Sequence, residues 1–382
     1  MKFFLSFLQS PVRHPVPAYD FWEHYLKNGI KEAGHEWMEC PDVDWAKGLV
    51  PQSVDMLNQW RADAWEQTIN YLKNNRPDVF LSYLYPHQVD VSAVKQIQKM
   101  GIPAVNFFCD NVREFKKAPK EFGVFDLNWV PEYKALEIYE KAGYNFIHLP
   151  MPMWVAPEYR GFKAEVNQQI TFIGSKDIQR HLLLEELIKL APDTDLAVYG
   201  SGWQQTALAP AYQPRYGLRE KITHQVKVIS KYGVLGYAEK IKQRGFNIET
   251  SSALSAKLRG IPPYNEYNLL TSGSMITLGV NRYPSYAFPL RQPDTYSRLR
   301  DIEAPMLGAC YLTEWAPGLD QLYELGNEIE TYKTAAELSA KIIELKNNPE
   351  KRKKLKINGQ HRALTDHSIP QTLKKILCRL PL

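Results

Sequence analysis

The sequence predicts an α/β protein of two consecutive doubly wound domains facing a central cleft. Three observations carry this. The chain has 382 residues, beyond the roughly 100–200 that one domain usually needs. Short apolar β-like runs alternate with helical patterns, and this alternation occurs twice. Between the two series lies a proline-containing stretch with no period. Repeated strand–helix–strand units imply parallel sheets covered on both faces, with ligands at the carboxyl ends of the strands.

In the first series, KFFLSFL (2–8) reads as a strand. Residues 17–33 and 53–75 carry apolar positions at helical spacing. DVFLSYLY (78–85) is a buried strand, VDVSAVKQIQKMG (89–101) a helix ending on glycine, and PAVNFFCD (103–110) a further strand. LNWVP (127–131), YKALEIYEKAG (133–143) and NFIHLPMP (145–152) continue as strand, helix and strand. Residues 1–155 are therefore assigned to a first Rossmann-like domain and 156–168 to a linker. QITFIGS (169–175) opens the second series as a strand, followed by the helix QRHLLLEELIKLAP (179–192) and the strand TDLAVYGSGW (194–203). Later come the strand SMITLGVN (274–281), the helix YSRLRDIEAPMLG (296–308), the strand ACYLTEW (309–315) and paired helices over 335–366. Residues 169–367 form the second domain, interrupted at 204–263. The terminal helix, 368–382, is expected to pack back on the first domain.

Composition excludes several classes. Hydrophobic residues make up 44% and charged residues 23%, with a net charge of +5, an ordinary globular balance. No apolar run approaches the roughly 20 residues that span a bilayer. The opening MKFFLSFLQSPVRHP has too short an apolar core for a signal peptide and no cleavage site. Cys40, Cys109, Cys310 and Cys378 are scattered, as befits reduced thiols in the cytoplasm. The interruption carries Arg215, Arg219, Lys221, Lys227, Lys231, Lys240, Lys242, Arg244, Lys257 and Arg259 against few acids. It reads as a solvated insertion or, more sharply, as a peripheral contact with an acceptor or the inner membrane face. No nucleic-acid motif accompanies it.

Two glycine loops and one helix carry the chemistry. In TFIGSKDIQR, a strand meets a helix starting near Asp177. This puts the amides of Gly174, Ser175 and Lys176 where a phosphate is stabilised, with Lys176 and Arg180 adding charge. VYGSGW places Gly200 and Gly202 after the next strand, where the backbone can approach a ligand; both loops also read as plain turns. The helix at 296–308 holds Arg298, Arg300, Asp301 and Glu303 among apolar residues, where ionised groups need partners. Glu303 can accept two hydroxyl donors, as a ribose diol requires. Arg300 suits a phosphate, and an Arg300–Glu303 pair at i, i+3 is the structural alternative.

FIGSKDIQR, VYGSGW, SRLRDIEAPMLGACYLTEWAPGLDQLYELGNEIETY and AELSAKIIELKNNPEKRKKLKINGQHRALTDHSI, in that order, resemble the CgeB-like (spore-maturation-protein-B-like) glycosyltransferases. These are related to the family-4 retaining enzymes of the GT-B fold. The resemblance implies two Rossmann-like domains, of which the second binds a nucleotide-sugar such as a UDP- or GDP-sugar. It implies Glu303 on the nucleotide ribose and the Gly174 loop at the diphosphate. The acceptor would be a sugar, a lipid-linked molecule or a protein. Transfer is expected to retain configuration and to need neither cofactor nor metal. Thr295 stands where those relatives carry a second glutamate, which removes one sugar contact. A sugar-nucleotide epimerase and a non-catalytic nucleotide-sugar binder are the alternatives on the same fold.

In the first half, candidates follow strand ends. His14, Tyr85 and Asn111 are placed on the acceptor side. Asp110 is the catalytic base or acceptor-hydroxyl candidate, with a helix N-cap as its alternative. His87 is the second catalytic candidate, and it too reads as a cap. His148 and His367 read as structural. The Asp-x-Asp of PDVD (41–44) follows no buried strand and is expected to be a surface turn.

Overall fold

The computed structural model describes residues 1–12, 14, 18–204, 218–245, 249–283, 285–286 and 293–381. They divide into two compact units, Met1–Trp154 with Thr365–Leu382, and Val155–Leu364.

The first unit is a six-stranded sheet of order β2-β1-β3-β4-β5-β6. Its strands are β1 (Lys2–Ser6), β2 (Glu36–Met38), β3 (Val79–Ser82), β4 (Ala104–Phe107), β5 (Leu127–Val130) and β6 (Phe146–His148). Every pairing is parallel. The central strands are buried along their whole length, as both-face coverage requires. The helices are α1 (Ala18–Glu32), α2 (Val54–Asn74), α3 (Val91–Lys99), α4 (Asn111–Glu114) and α5 (Leu136–Ala142). Ser53 caps α2 through the Met56 amide, and Asp90 caps α3 through Ser92 and Ala93, satisfying otherwise orphaned donors. The last helix of the chain, α14 (Ile369–Leu377), lies against α1. Gly29 permits the approach, since a Cβ there would meet Ile369 at 2.6 Å.

The second unit is a six-stranded parallel sheet of order β12-β11-β10-β7-β8-β9. Its strands are β7 (Ile170–Ile173), β8 (Leu196–Tyr199), β9 (Leu258–Gly260), β10 (Ile276–Gly279), β11 (Tyr311–Glu314) and β12 (Glu330–Tyr332). Its helices are α6 (Ile178–Leu190), α7 (Leu218–Gly245), α8 (Ser252–Ser255), α9 (Tyr264–Gly273), α10 (Arg300–Met306), α11 (Leu319–Leu322), α12 (Ala335–Asn347) and α13 (Pro349–Asp366). The strand order reverses between β7 and β10, so the carboxyl ends of these strands border the topological switch point, where open α/β sheets bind ligands.

Two boundaries differ from the sequence reading. Residues 156–168 are not a free linker: Glu165 forms an ion pair with Arg352, and the Val166 amide donates to the Gly273 carbonyl. The stretch 204–263 is not one insertion either. Leu254 of α8 is fully buried in the core, and β9 pairs with β8, so its end belongs to the sheet.

Candidate active site

The two glycine loops of the second unit lie backbone against backbone. The Gly174 amide donates to the Tyr199 carbonyl at 2.8 Å, and the Lys176 amide to the Ser201 carbonyl at 2.8 Å. Gly200 has φ 134°, and a Cβ on it would fall 2.1 Å from the Gly174 carbonyl oxygen. Trp203 braces the pair by donating its indole N–H to the same oxygen at 2.7 Å. Gly202, at φ 79°, completes the turn. The phosphate cradle expected from the amides of Gly174, Ser175 and Lys176 is therefore corrected, because two of the three are already donated within the protein. The N-terminus of α6 is likewise closed: the Asp177 carboxylate accepts from the Gln179 and Arg180 amides at 2.9 Å each, filling the position an anion would take.

Side chains supply the positive charge instead. Arg180 pairs with Asp177 at 3.2 Å and donates to the Ser175 carbonyl and hydroxyl. Its pKa is pulled below the ordinary guanidinium value, chiefly by burial and then by the neighbouring Arg298 charge, with Arg300 adding to this and Asp177 opposing it. Three arginines thus converge within electrostatic reach of each other at the switch point. Like charges gathered in a partly buried place are unfavourable unless an anion joins them. Lys176, in the first glycine loop, places its Nζ 3.1 Å from the Thr250 hydroxyl and over the Trp203 ring.

Glu303, 3% exposed, sits on α10 beside this cluster. It accepts a hydrogen bond from the Tyr267 hydroxyl of α9. Arg300 lies 5.2 Å from the Tyr267 ring centre. Burial is the main cause that lifts the Tyr267 pKa far above its ordinary value, so the phenol keeps its proton and donates. Gly308, at φ 73°, follows the C-cap Leu307 and turns the chain into β11. A buried polar frame fixes α10. Asp301 accepts from Asn281, Tyr311, Thr313 and the Arg298 amide. Arg282 grips Glu314 through two nitrogens and reaches the Gln179 carbonyl. Burial raises the Asp301 pKa. These bonds tie the ends of β10 and β11 to the first turn of α6.

The first unit gathers a second group after β3, β4 and β5. Asp110 occupies the N-cap position of α4 but makes no side-chain cap bond, so the capping alternative does not hold. Asn111 is corrected from an acceptor contact to a fold residue: it is fully buried, accepting from the Tyr139 hydroxyl at 2.8 Å and donating to the Phe108 carbonyl at 2.7 Å. Tyr85 packs edge-on against Phe108, its hydroxyl 3.4 Å from that of Tyr83. Burial first, then the Asp110 charge, raises its pKa. His87 lies on the surface with Nε2 3.0 Å from the Gly48 carbonyl, a contact that ties two loops. His14 bonds Asp44 of the PDVD turn at 2.7 Å, and that turn, exposed at Asp42, forms no metal cluster; none is found among the described residues.

A family model described as glycosyl transferase-like (Glyco_trans_1_2) matches residues 179–378, more than half of the chain and the segment that holds Arg180, Arg298, Arg300 and Glu303. The chain belongs to the glycosyl transferase-like family. No curated protein matches the sequence. Solved structures resemble this glycosyl transferase-like chain along nearly its whole length. Sucrose-phosphate synthase from Thermosynechococcus elongatus shares 11% identity at TM-score 0.60, covering 99% of this chain and 98% of its own. A glycosyltransferase from Rickettsia africae shares 12% at 0.58, covering 98% and 97%. Anabaena Alr3699/HepE, solved in complex with UDP-glucose, shares 12% at 0.55, covering 100% of both chains. At such identities the likeness shows the fold, and the fold is α/β GT-B.

Sequence reasoning missed two carboxylate partners in this glycosyl transferase-like chain. Tyr267 lies on a helix whose pattern gives no hint of Glu303. Glu132 follows β5 directly, in VPE, and the strand-end rule that selected Asp110 would have selected it too.

Proposed function

We propose that the chain transfers a sugar from a nucleotide-sugar, with a UDP-sugar as the first candidate, to a hydroxyl of an acceptor molecule. The observation that carries this reading is the meeting of Arg180, Arg298 and Arg300 with buried Glu303 at the switch point of the second unit. Arginine forks match phosphate oxygens, and a carboxylate accepts both hydroxyls of a ribose. In this reading Glu303 holds the ribose, while the arginines and Lys176 hold the diphosphate and stabilise its charge as it leaves. The leaving group is neutralised by side chains, so transfer runs without a bound metal and persists in EDTA. The sequence resemblance to the family-4 retaining enzymes supports retention of configuration, and Asp110 of the first unit takes the acceptor hydroxyl.

The test is a thermal-shift series with UDP, GDP and dTDP. A ligand at about 100 times its dissociation constant adds roughly 2.7 kcal/mol. The reading fails if none of these nucleotides, nor any nucleotide-sugar, moves the melting temperature.

We also propose a peripheral contact of α7 with an anionic membrane surface. The helix carries seven basic residues against Glu220 and Glu239. Ile222, Val226 and Ile229, at i, i+4 and i+7, are exposed, and Leu235 is 74% exposed beyond the break at Gly233. Apolar side chains beside basic ones are what an interfacial helix needs. No described helix is long and apolar enough to cross a membrane.

A further inference from the structure

Asp110 stands at the N-cap position of α4, yet the capping is done from another strand's end. Glu132, two residues beyond β5, extends its carboxyl under α4, where Oε2 accepts from the Val112 amide at 3.2 Å. The residue is 1% exposed, and its other oxygen, Oε1, is buried without a hydrogen-bond partner. A carboxylate with one oxygen dry and unpartnered is costly. The cost falls sharply when that oxygen carries a proton. We propose that Glu132 is a proton-bearing positioning residue, which caps α4 in place of Asp110 and so leaves the Asp110 side chain uncommitted to the helix and available for an acceptor hydroxyl.

Several groups face Glu132. Asp110 and Cys109 come from the β4–α4 connection, and Tyr139 from α5. Burial holds Cys109 and Tyr139 neutral, raising both pKa values. Asp110 is thus the one facing group among these that brings charge. Burial, and after it the Asp110 charge, push the Glu132 carboxyl up to about 8. Two carboxyls in one site that share a single proton are a known way of separating acid and base forms. Here the proton stays on the inner, buried member, and the outer member remains the acceptor-facing group.

The proposal rests on the transferase reading for what Asp110 does, but its main test does not. A carboxyl whose folded pKa is raised binds its proton in the folded state over a range where the unfolded chain has lost it. The stability it contributes is fully present below the unfolded value of 4.5 and is lost as pH rises through about 8. Glu132→Gln keeps the shape and the neutral state at every pH. The melting temperature of the Gln variant relative to wild type should therefore climb between pH 5 and pH 8 and level off above. Asp110→Asn removes the facing charge, so in that background the climb should level off at lower pH. A difference that stays constant with pH overturns the bound proton. A climb with the same course in both backgrounds overturns the pairing with Asp110. If the Gln variant does not fold, the pH–stability curves of wild type and Asp110→Asn make the same comparison. In transfer assays, kcat/KM of the wild type should fall above about pH 8 while the Gln variant does not share that fall. Absence of transfer in every variant at every pH, with the stability course as described, would remove the transferase reading and leave the proton assignment standing.

Discussion

The Tyr267 hydroxyl donates a hydrogen bond to the Glu303 carboxylate, joining α9 to α10 beneath the arginine cluster. The donor is fixed in direction, because burial keeps the phenol protonated. A carboxylate has roughly four lone-pair sites, so Tyr267 orients Glu303 without exhausting it. Tyr267→Phe removes the orienting bond and keeps the ring under Arg300. UDP should then bind about three- to tenfold more weakly by calorimetry, the scale of one lost hydrogen bond of about 1 kcal/mol. Unchanged affinity would mean that the phenol serves packing alone.

The arginine cluster makes its own prediction. Arg300→Gln removes one of three converging charges, and a charge-assisted phosphate contact is worth about 1.5–3 kcal/mol. UDP affinity should fall tenfold or more. The deficit should shrink at high salt, because screening weakens the wild-type contact too. A deficit independent of salt would contradict an electrostatic role.

The fold was legible in the sequence, and the site only in part. Apolar runs such as VFLS and ITFI mark buried strands, and glycines such as Gly143 and Gly308 mark helix ends, because burial and positive φ leave local traces. Two doubly wound α/β units follow from that pattern, and the GT-B assignment came from the family resemblance. Arg298, Arg300 and Glu303 stood out as charges in apolar surroundings, and Arg180 as a charge beside the first glycine loop. The amides of Gly174 and Lys176 misled, since their acceptors, Tyr199 at the end of β8 and Ser201 in the turn after it, are brought in by sheet pairing that no local pattern reveals. Asn111 misled for the same reason: its partner Tyr139 comes from α5. Glu132 and Tyr267 act across elements, and pairing of that kind is written in tertiary structure alone.

The two-loop contact is testable by stability. Gly200→Ala places a Cβ 2.1 Å from a backbone oxygen, at φ 134°. Gly143→Ala meets nothing within 4 Å and suffers only from its φ of 67°. The control should lose about 1 kcal/mol. Gly200→Ala should lose clearly more, about 2–4 kcal/mol, since overpacking adds to backbone strain. Equal losses by chemical denaturation would show that the loops do not bear on each other.

The membrane reading calls for variants chosen by exposure. Lys240 is unsuitable, being buried with Nζ 2.7 Å from the Gln225 side-chain oxygen. Leu235→Asp with Lys242→Glu removes an exposed apolar anchor and an exposed charge. Sedimentation with vesicles rich in phosphatidylserine should recover wild type and leave the double variant in solution, with UDP affinity unchanged. Equal recovery of the two, or equal binding to neutral vesicles, would return α7 to a solvated helix.

The most direct test of the donor site is calorimetric titration of UDP into wild type and Glu303→Gln. Gln keeps the size of the side chain and its hydrogen bond with Tyr267, but loses the charge that strengthens two ribose contacts. The account predicts that UDP binds wild type, and that the Gln variant melts at nearly the same temperature yet binds at least tenfold more weakly, about 1.4 kcal/mol. A Gln variant that loses melting temperature while its folded fraction keeps wild-type affinity would contradict the account and make Glu303 a structural residue.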